Sequence, residues 1–181
     1  HQSLSIGTLA FVIAVIMGGP IGAVLQKVDV ITGVLIMVTV IFIAILADII
    51  AVAAAAAQDV PFNAMASDRV PGAQEALYIV RNAGRVNSIF ADIIGDIAGT
   101  ITGVVATPVI FALSSAYPDI PQVVVSAVVI GLIAFLTIGG KAAEKDFAVR
   151  QSTAVILWIG KIIYAFKRMF RVDGRKKHRK R

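Results

Sequence analysis

The chain has no cysteine, so disulfides, thiolate nucleophiles and cysteine metal sites are excluded. Its two histidines, His1 and His178, stand at opposite ends of the sequence, which argues against a histidine-built zinc centre or an imidazole acid–base relay. Charge is scarce as well. Asp, Glu, Lys and Arg make up 15% of the 181 residues, where a soluble domain carries about 25%. The apolar share is 58% and the mean hydropathy +0.88, against about 45 to 50% apolar in soluble domains. With no nucleophile–base pair or ligand cluster in view, an enzyme is not expected. The composition is that of an all-α integral membrane protein, since a backbone in hydrocarbon must satisfy its own hydrogen bonds.

What the chain does have is long apolar runs. A helix needs about 20 such residues to cross about 30 Å of hydrocarbon, and four stretches qualify: 4–25, 30–57, 86–113 and 120–140, the last introduced by the turn "AYPDIP". The first lacks the cationic leader and small-residue cleavage pattern of a signal peptide, so residues 1–29 are expected to hold an additional N-terminal span. A transmembrane core over 30–151 follows.

Charge then sets the orientation. Thirteen of the 17 Lys and Arg lie beyond residue 140, and the chain closes on "GRKKHRKR". Four spans place both termini and the 58–85 loop on one side, together with Arg69, Arg81, Arg85 and the basic tail. The short loops of the other side hold Lys27, Asp29 and Asp119. The positive-inside rule makes the cation-rich side cytoplasmic, as expected of a multi-pass protein of the inner or plasma membrane. Beside membrane spans, the polybasic segment 173–181 reads as an anchor on anionic lipid rather than a nucleic-acid arm.

Two cytoplasmic segments have amphipathic rather than spanning character. Within 61–85, "PGAQEALYIVRNAG" opens with Pro71 and Gly72 and sets Ala73, Ala76, Leu77 and Val80 on one helical face. Gly84, a usual helix stop, is its expected end. Residues 152–172 carry an apolar run of only about 15 residues, interrupted by Lys161, which is short for a span. This segment is expected to lie in the interface, with Trp158 and Tyr164 at headgroup level. Lys167, Arg168 and Arg171, continued by Arg175, Lys176 and Lys177, would then face lipid phosphates.

The acids inside the spans are Asp48, Asp92 and Asp96, the last two within "ADIIGDIAGTITGVV" (91–105). Each costs about 2.5 to 3.5 kcal/mol on insertion scales, so a purpose or a partner is expected. At about 1.5 Å per residue all three fall roughly 9 to 15 Å from the inner surface, in a zone whose spans offer no Lys or Arg. Asp92, Asp96 and Thr100 recur every four residues and form one polar line, with Ser88 a turn earlier. Beside it Gly95, Gly99 and Gly103 form a face on which another helix can approach closely. An oxygen-only set of Asp48, Asp92, Asp96, Ser88 and Thr100 suits a hard cation: magnesium, calcium, sodium or a proton. The competing expectation is a non-transporting scaffold or accessory subunit, in which the glycine face docks a helix and the tail binds lipid.

The segment "PGAQEALYIVRNAGRVNSIF" resembles the cyclin M/CorC magnesium-transporter membrane domain through Pro71, Ala73, Ala76, Leu77, Asn82, Arg85 and Ser88. Further on, "GKAAEKDFAVRQSTAVIL" is similar to that family through Gly140, Lys145, Ala148 and Arg150. The order of elements over about residues 45–172 agrees too: span, amphipathic helix, two spans, then a helix along the inner membrane face. The resemblance implies a homodimer whose cytoplasmic amphipathic helices form a belt at that face, and divalent-cation (magnesium-like) transport or sensing with a bound ion such as Mg2+. Lys141 and Glu144 stand where the family has an acid and a proline, so an ion site here would be rebuilt around carboxylates.

The charge distribution generates the first test. A cysteine placed at Asp119 is expected to react with an impermeant thiol reagent added from outside, and one at Arg175 is not. The opposite labelling pattern would reject the four-span arrangement.

Overall fold

A computed structural model of the chain describes residues 29–178, with side chains as far as Met169, and the earlier positions Thr8, Phe11, Val12, Val15 and Ile16. The expected first span, 4–25, lies outside the described residues except at those positions, and so do the side chains of Arg171, Arg175, Lys176 and Lys177. All regular structure among the described residues is helical. In order these are α1 (Val30–Ala56), α2 (Asp59–Ser67), α3 (Ala73–Arg81), α4 (Ala83–Asn87), a π-helical segment (Ser88–Ile94), α5 (Gly95–Ala116), α6 (Gln122–Arg150) and α7 (Ser152–His178).

Among the described residues, three helices are long and apolar enough to cross a membrane: Val30–Ala56, Ala83–Ala116 and Gln122–Arg150. They correspond to the second, third and fourth expected spans. Asp29 starts the first of them. Its carboxylate accepts the Thr32 hydroxyl, and its carbonyl accepts the Gly33 N–H at 3.0 Å. The Thr32 hydrogen bond holds the Asp29 carboxyl below the ordinary aspartate range. The third helix begins after Pro121, which supplies a first-turn carbonyl to Val124 N–H at 2.8 Å. It runs ten residues past its expected end at Gly140, to Arg150. The sequence "KAAEKDFAVR" is rich in strong helix formers, and the Arg150 Nε to Asp146 pair at 2.9 Å supports its last turns.

The residues fall into two compact units, and the chain passes from one to the other inside helices, at 47/48, 92/93 and 142/143. Unit 1 contains 93–142 and the described residues up to Ala47. Met37 of α1 packs there with Val105, Ala106 and Val109 of α5, flanked by Ile101, Ile110 and Ile133. Two glycines bring its helices close: a Cβ on Gly33 would sit 2.6 Å from Val109 Cγ2, and one on Gly140 would overlap Ile45. The outer faces are apolar and open, with Phe135 73% and Val123 80% exposed, as a lipid-facing helix requires.

Unit 2 contains 48–92 and 143–178. Ala53 and Ala54 close its core with Phe62 of α2, Ala76 and Ile79 of α3, and Ile156 of α7. The expected amphipathic face of α3 is present: Ala73, Ala76 and Ile79 are buried, and Leu77 and Val80 pack beside them. Its end differs from expectation. The helix breaks at Asn82, whose N–H and side-chain amide both donate to the Tyr78 carbonyl, and Gly84 lies inside the following turn of α4. A second amphipathic helix, α2, precedes it; Asp59 and Pro61 in its first turn are the signals that mark its start.

The tightest contact of unit 2 is backbone on backbone. Gly72 has a φ of +85°, and a Cβ there would sit 2.5 Å from Lys161 N. Reciprocally, a Cβ on Gly160 would overlap the Gly72 carbonyl and lie 2.9 Å from Ala76 N. Gly160→Leu is therefore expected to separate α7 from α3, at the roughly 1 to 3 kcal/mol typical of overpacking. The sole tryptophan, Trp158, lies two residues away and reports the change. A Gly160→Leu chain with the parent's melting temperature and Trp158 emission would show that this contact is not required.

Candidate functional site

The helix from Ala83 to Ala116 carries four of the five expected cation ligands, and it is not uniform. Ser88–Ile94 forms a π-helical segment between α4 and α5, and Asp92 lies within it. A π segment closes i→i+5 hydrogen bonds, so one residue per turn is in excess of the α register. Asp92 and Asp96 therefore do not share the simple α-helical line that their spacing of four predicts. No residue type in "SIFADII" announces this register change.

Ser88, Asp92, Asp96 and Thr100 are all exposed. The Thr100 hydroxyl donates to the Asp96 carbonyl at 2.9 Å, which uses its proton and leaves its lone pairs available as acceptors. Asp48 is half-buried on α1. Asp48, Ser88 and Asp92 belong to unit 2, and Asp96, Thr100 and the three glycines to unit 1. Among the described residues, no three Asp, Glu or His side chains gather closely enough to hold a metal ion.

Unit 1 also holds a groove of about 510 Å³. Gly95, Gly99, Gly103 and Thr107 of α5 line one wall, with Thr137 and Lys141 of α6 opposite. Lys141 corrects one expectation: the zone is not free of cations. The Lys141 ammonium stands 3.8 Å from where a Gly95 Cβ would lie, next in sequence to Asp96. The expected glycine face behaves unevenly. Gly95 meets Lys141, whereas a Cβ added at Gly99 or Gly103 would have nothing within 4 Å. Their openness separates them from Gly33 and Gly140, which are filled within unit 1 by Val109 and Ile45. Spacing alone gives no means of telling these two classes of glycine apart.

Helix α7 has a buried and an exposed face. Ser152, Ile156 and Gly160 form its buried face. Trp158, Ile162, Phe166 and Met169, three or four residues apart, form a second apolar stripe that is exposed, with Trp158 at 70%. Lys167 lies on the side of the buried face, where its ammonium meets Glu75 of α3 at 3.3 Å.

The two glycine classes differ in what a methyl group meets. Gly99→Ala is expected to be neutral or to raise the melting temperature, since an added Cβ finds open space and removes backbone freedom from the unfolded chain. Gly140→Ala is expected to lower it, because Ile45 must move. Equal effects of the two substitutions on thermal unfolding would contradict the difference between an open and a filled glycine. Compared with protein-family models, curated proteins and solved structures, the chain has no match.

Proposed function

We propose that this chain is a divergent cyclin M/CorC-like membrane domain of the inner or plasma membrane that transports or senses a hard divalent cation such as Mg2+. The observation that carries the reading is the π segment inside a helix long enough to span a membrane, placed among Ser88, Asp92 and Asp96. Interruptions of this kind are frequent at functional sites, and an ionisable group within a span is a functional candidate by default. In this reading Asp92 and Asp96 attract the ion, while Ser88, Thr100 and retained water complete its oxygen shell. Asp48 belongs to the same proposal as a further carboxylate. Both termini face the cytoplasm, the amphipathic helices α2, α3 and α7 form a belt at the inner face, and the chain acts as a homodimer without enzymatic chemistry.

A second reading has its own observation. Gly99 and Gly103 are open along a groove, as a docking face for a further helix would be. A scaffold or accessory subunit needs that face and the basic tail but no ion.

The two readings separate on one measurement, the melting temperature of the parent and of Asp96→Asn against magnesium and calcium concentration. A ligand of the folded state alone stabilises by RT ln(1 + [L]/Kd), about 2.7 kcal/mol at a hundredfold excess over Kd. The parent is expected to rise with ion concentration, and Asp96→Asn, which keeps the shape and removes the charge, to rise less. A parent that ignores both ions up to millimolar levels favours the scaffold.

A further inference from the structure

We propose that unit 2 contains a binding site for a phosphate monoester carried on glycerol, either the headgroup of phosphatidic acid or a soluble glycerol phosphate. A cavity of about 500 Å³ opens between the end of α2, the start of α3 and the side of α7. Its polar lining is Arg69, Gln74, Glu75, Tyr164, Lys167 and Arg168. Three cations thus face one carboxylate, and that carboxylate is engaged: Glu75 Oε1 accepts from Lys167 at 3.3 Å. The lining retains a net positive charge, with donors from Arg, Tyr and Gln, which is the composition that recognises a phosphate. The volume lies within the range of ligand sites and exceeds what a bare phosphate fills, leaving space for the glycerol it is attached to.

Arg69 marks this cavity as more than a gap between helices. α2 ends in a Schellman arrangement: Val70 N–H donates to the Met65 carbonyl at 2.9 Å and Arg69 N–H to the Ala66 carbonyl at 3.1 Å. The residue between helix and turn in that motif is left-handed and usually glycine. Here it is Arg69, with a φ of +57°. A side chain in this conformation costs about 1 kcal/mol or more relative to glycine. What it achieves in this structure is a guanidinium on the cavity wall. On α7 the cavity residues Tyr164, Lys167 and Arg168 lie away from the exposed stripe of Trp158, Ile162, Phe166 and Met169, so the phosphate site stands independently of whether that stripe meets lipid.

The test uses the full chain and three probes: phosphatidylcholine, phosphatidic acid and soluble glycerol 3-phosphate. Arg69→Gly removes the guanidinium and at the same time relieves the left-handed strain, so its melting temperature is expected to equal or exceed the parent's. Its affinity for phosphatidic acid is expected to fall about tenfold, the size of one lost charge-assisted hydrogen bond. Arg168→Gln is expected to act in the same direction, and neither substitution is expected to change binding of phosphatidylcholine. Quenching of Trp158 by brominated phosphatidylcholine tests separately whether α7 lies on lipid. If glycerol 3-phosphate binds as tightly as phosphatidic acid, with the same dependence on Arg69 and Arg168, the phosphate site stands and its ligand is soluble. A parent that binds neither phosphate compound, or an Arg69→Gly and an Arg168→Gln that bind them as the parent does, overturns the proposal.

Discussion

Hydrocarbon offers a peptide group no hydrogen-bond partner, and that single constraint organises the chain. Each of the three long apolar helices among the described residues satisfies its backbone internally, and several hydroxyls within them follow the same rule. Thr39, Thr100, Thr102 and Ser115 each donate to the carbonyl four residues earlier. Against that regularity the two exceptions of the third-span helix stand out. Pro108 removes one donor from α5, and Ser88–Ile94 shifts the register to π. Both lie on the helix that also carries Asp92 and Asp96.

Glycine serves two opposed purposes. At Gly33, Gly140 and the Gly72/Gly160 pair it is needed because another helix occupies the space of a side chain. At Gly99 and Gly103 it leaves space that nothing within unit 1 fills. The first kind holds each unit together through close contact, where dispersion over short distances replaces the hydrophobic effect that lipid cannot supply. The second kind preserves a groove. The same residue type thus contributes cohesion in one place and accessibility in another.

Cations, too, are tied to particular places in the fold. Lys141 reaches Gly95 within unit 1, and Lys167 is held by Glu75 within unit 2. Lys141 is half-buried, while Lys167 stays exposed, as Lys145 of α6 does. Arg69 takes a backbone conformation that favours glycine, and its side chain reaches the same cavity as Lys167 and Arg168. The basic character of the chain, which composition concentrates in the tail, is therefore also built into a folded site.

Much of the fold was legible in the sequence because hydropathy over about 20 residues reports directly on which solvent a helix occupies. The second, third and fourth expected spans correspond to α1, the Ala83–Ala116 helix and α6, and the apolar face of α3 follows from the 3.6-residue period. Boundaries were less legible. Gly84 reads as a stop, yet Asn82 ends α3 by bonding Tyr78, and α6 passes through Gly139 and Gly140 into the helix formers that follow. The candidate ligands were visible as residue types, since an acid in an apolar run is rare on energetic grounds alone. Their rotation about the helix was not, because a π register arises from backbone packing and leaves no mark in composition. Which glycines are open, that Lys141 approaches Gly95, and that Arg69 meets Lys167 and Arg168 around one cavity depend on residues distant in the chain, and only tertiary structure brings those together.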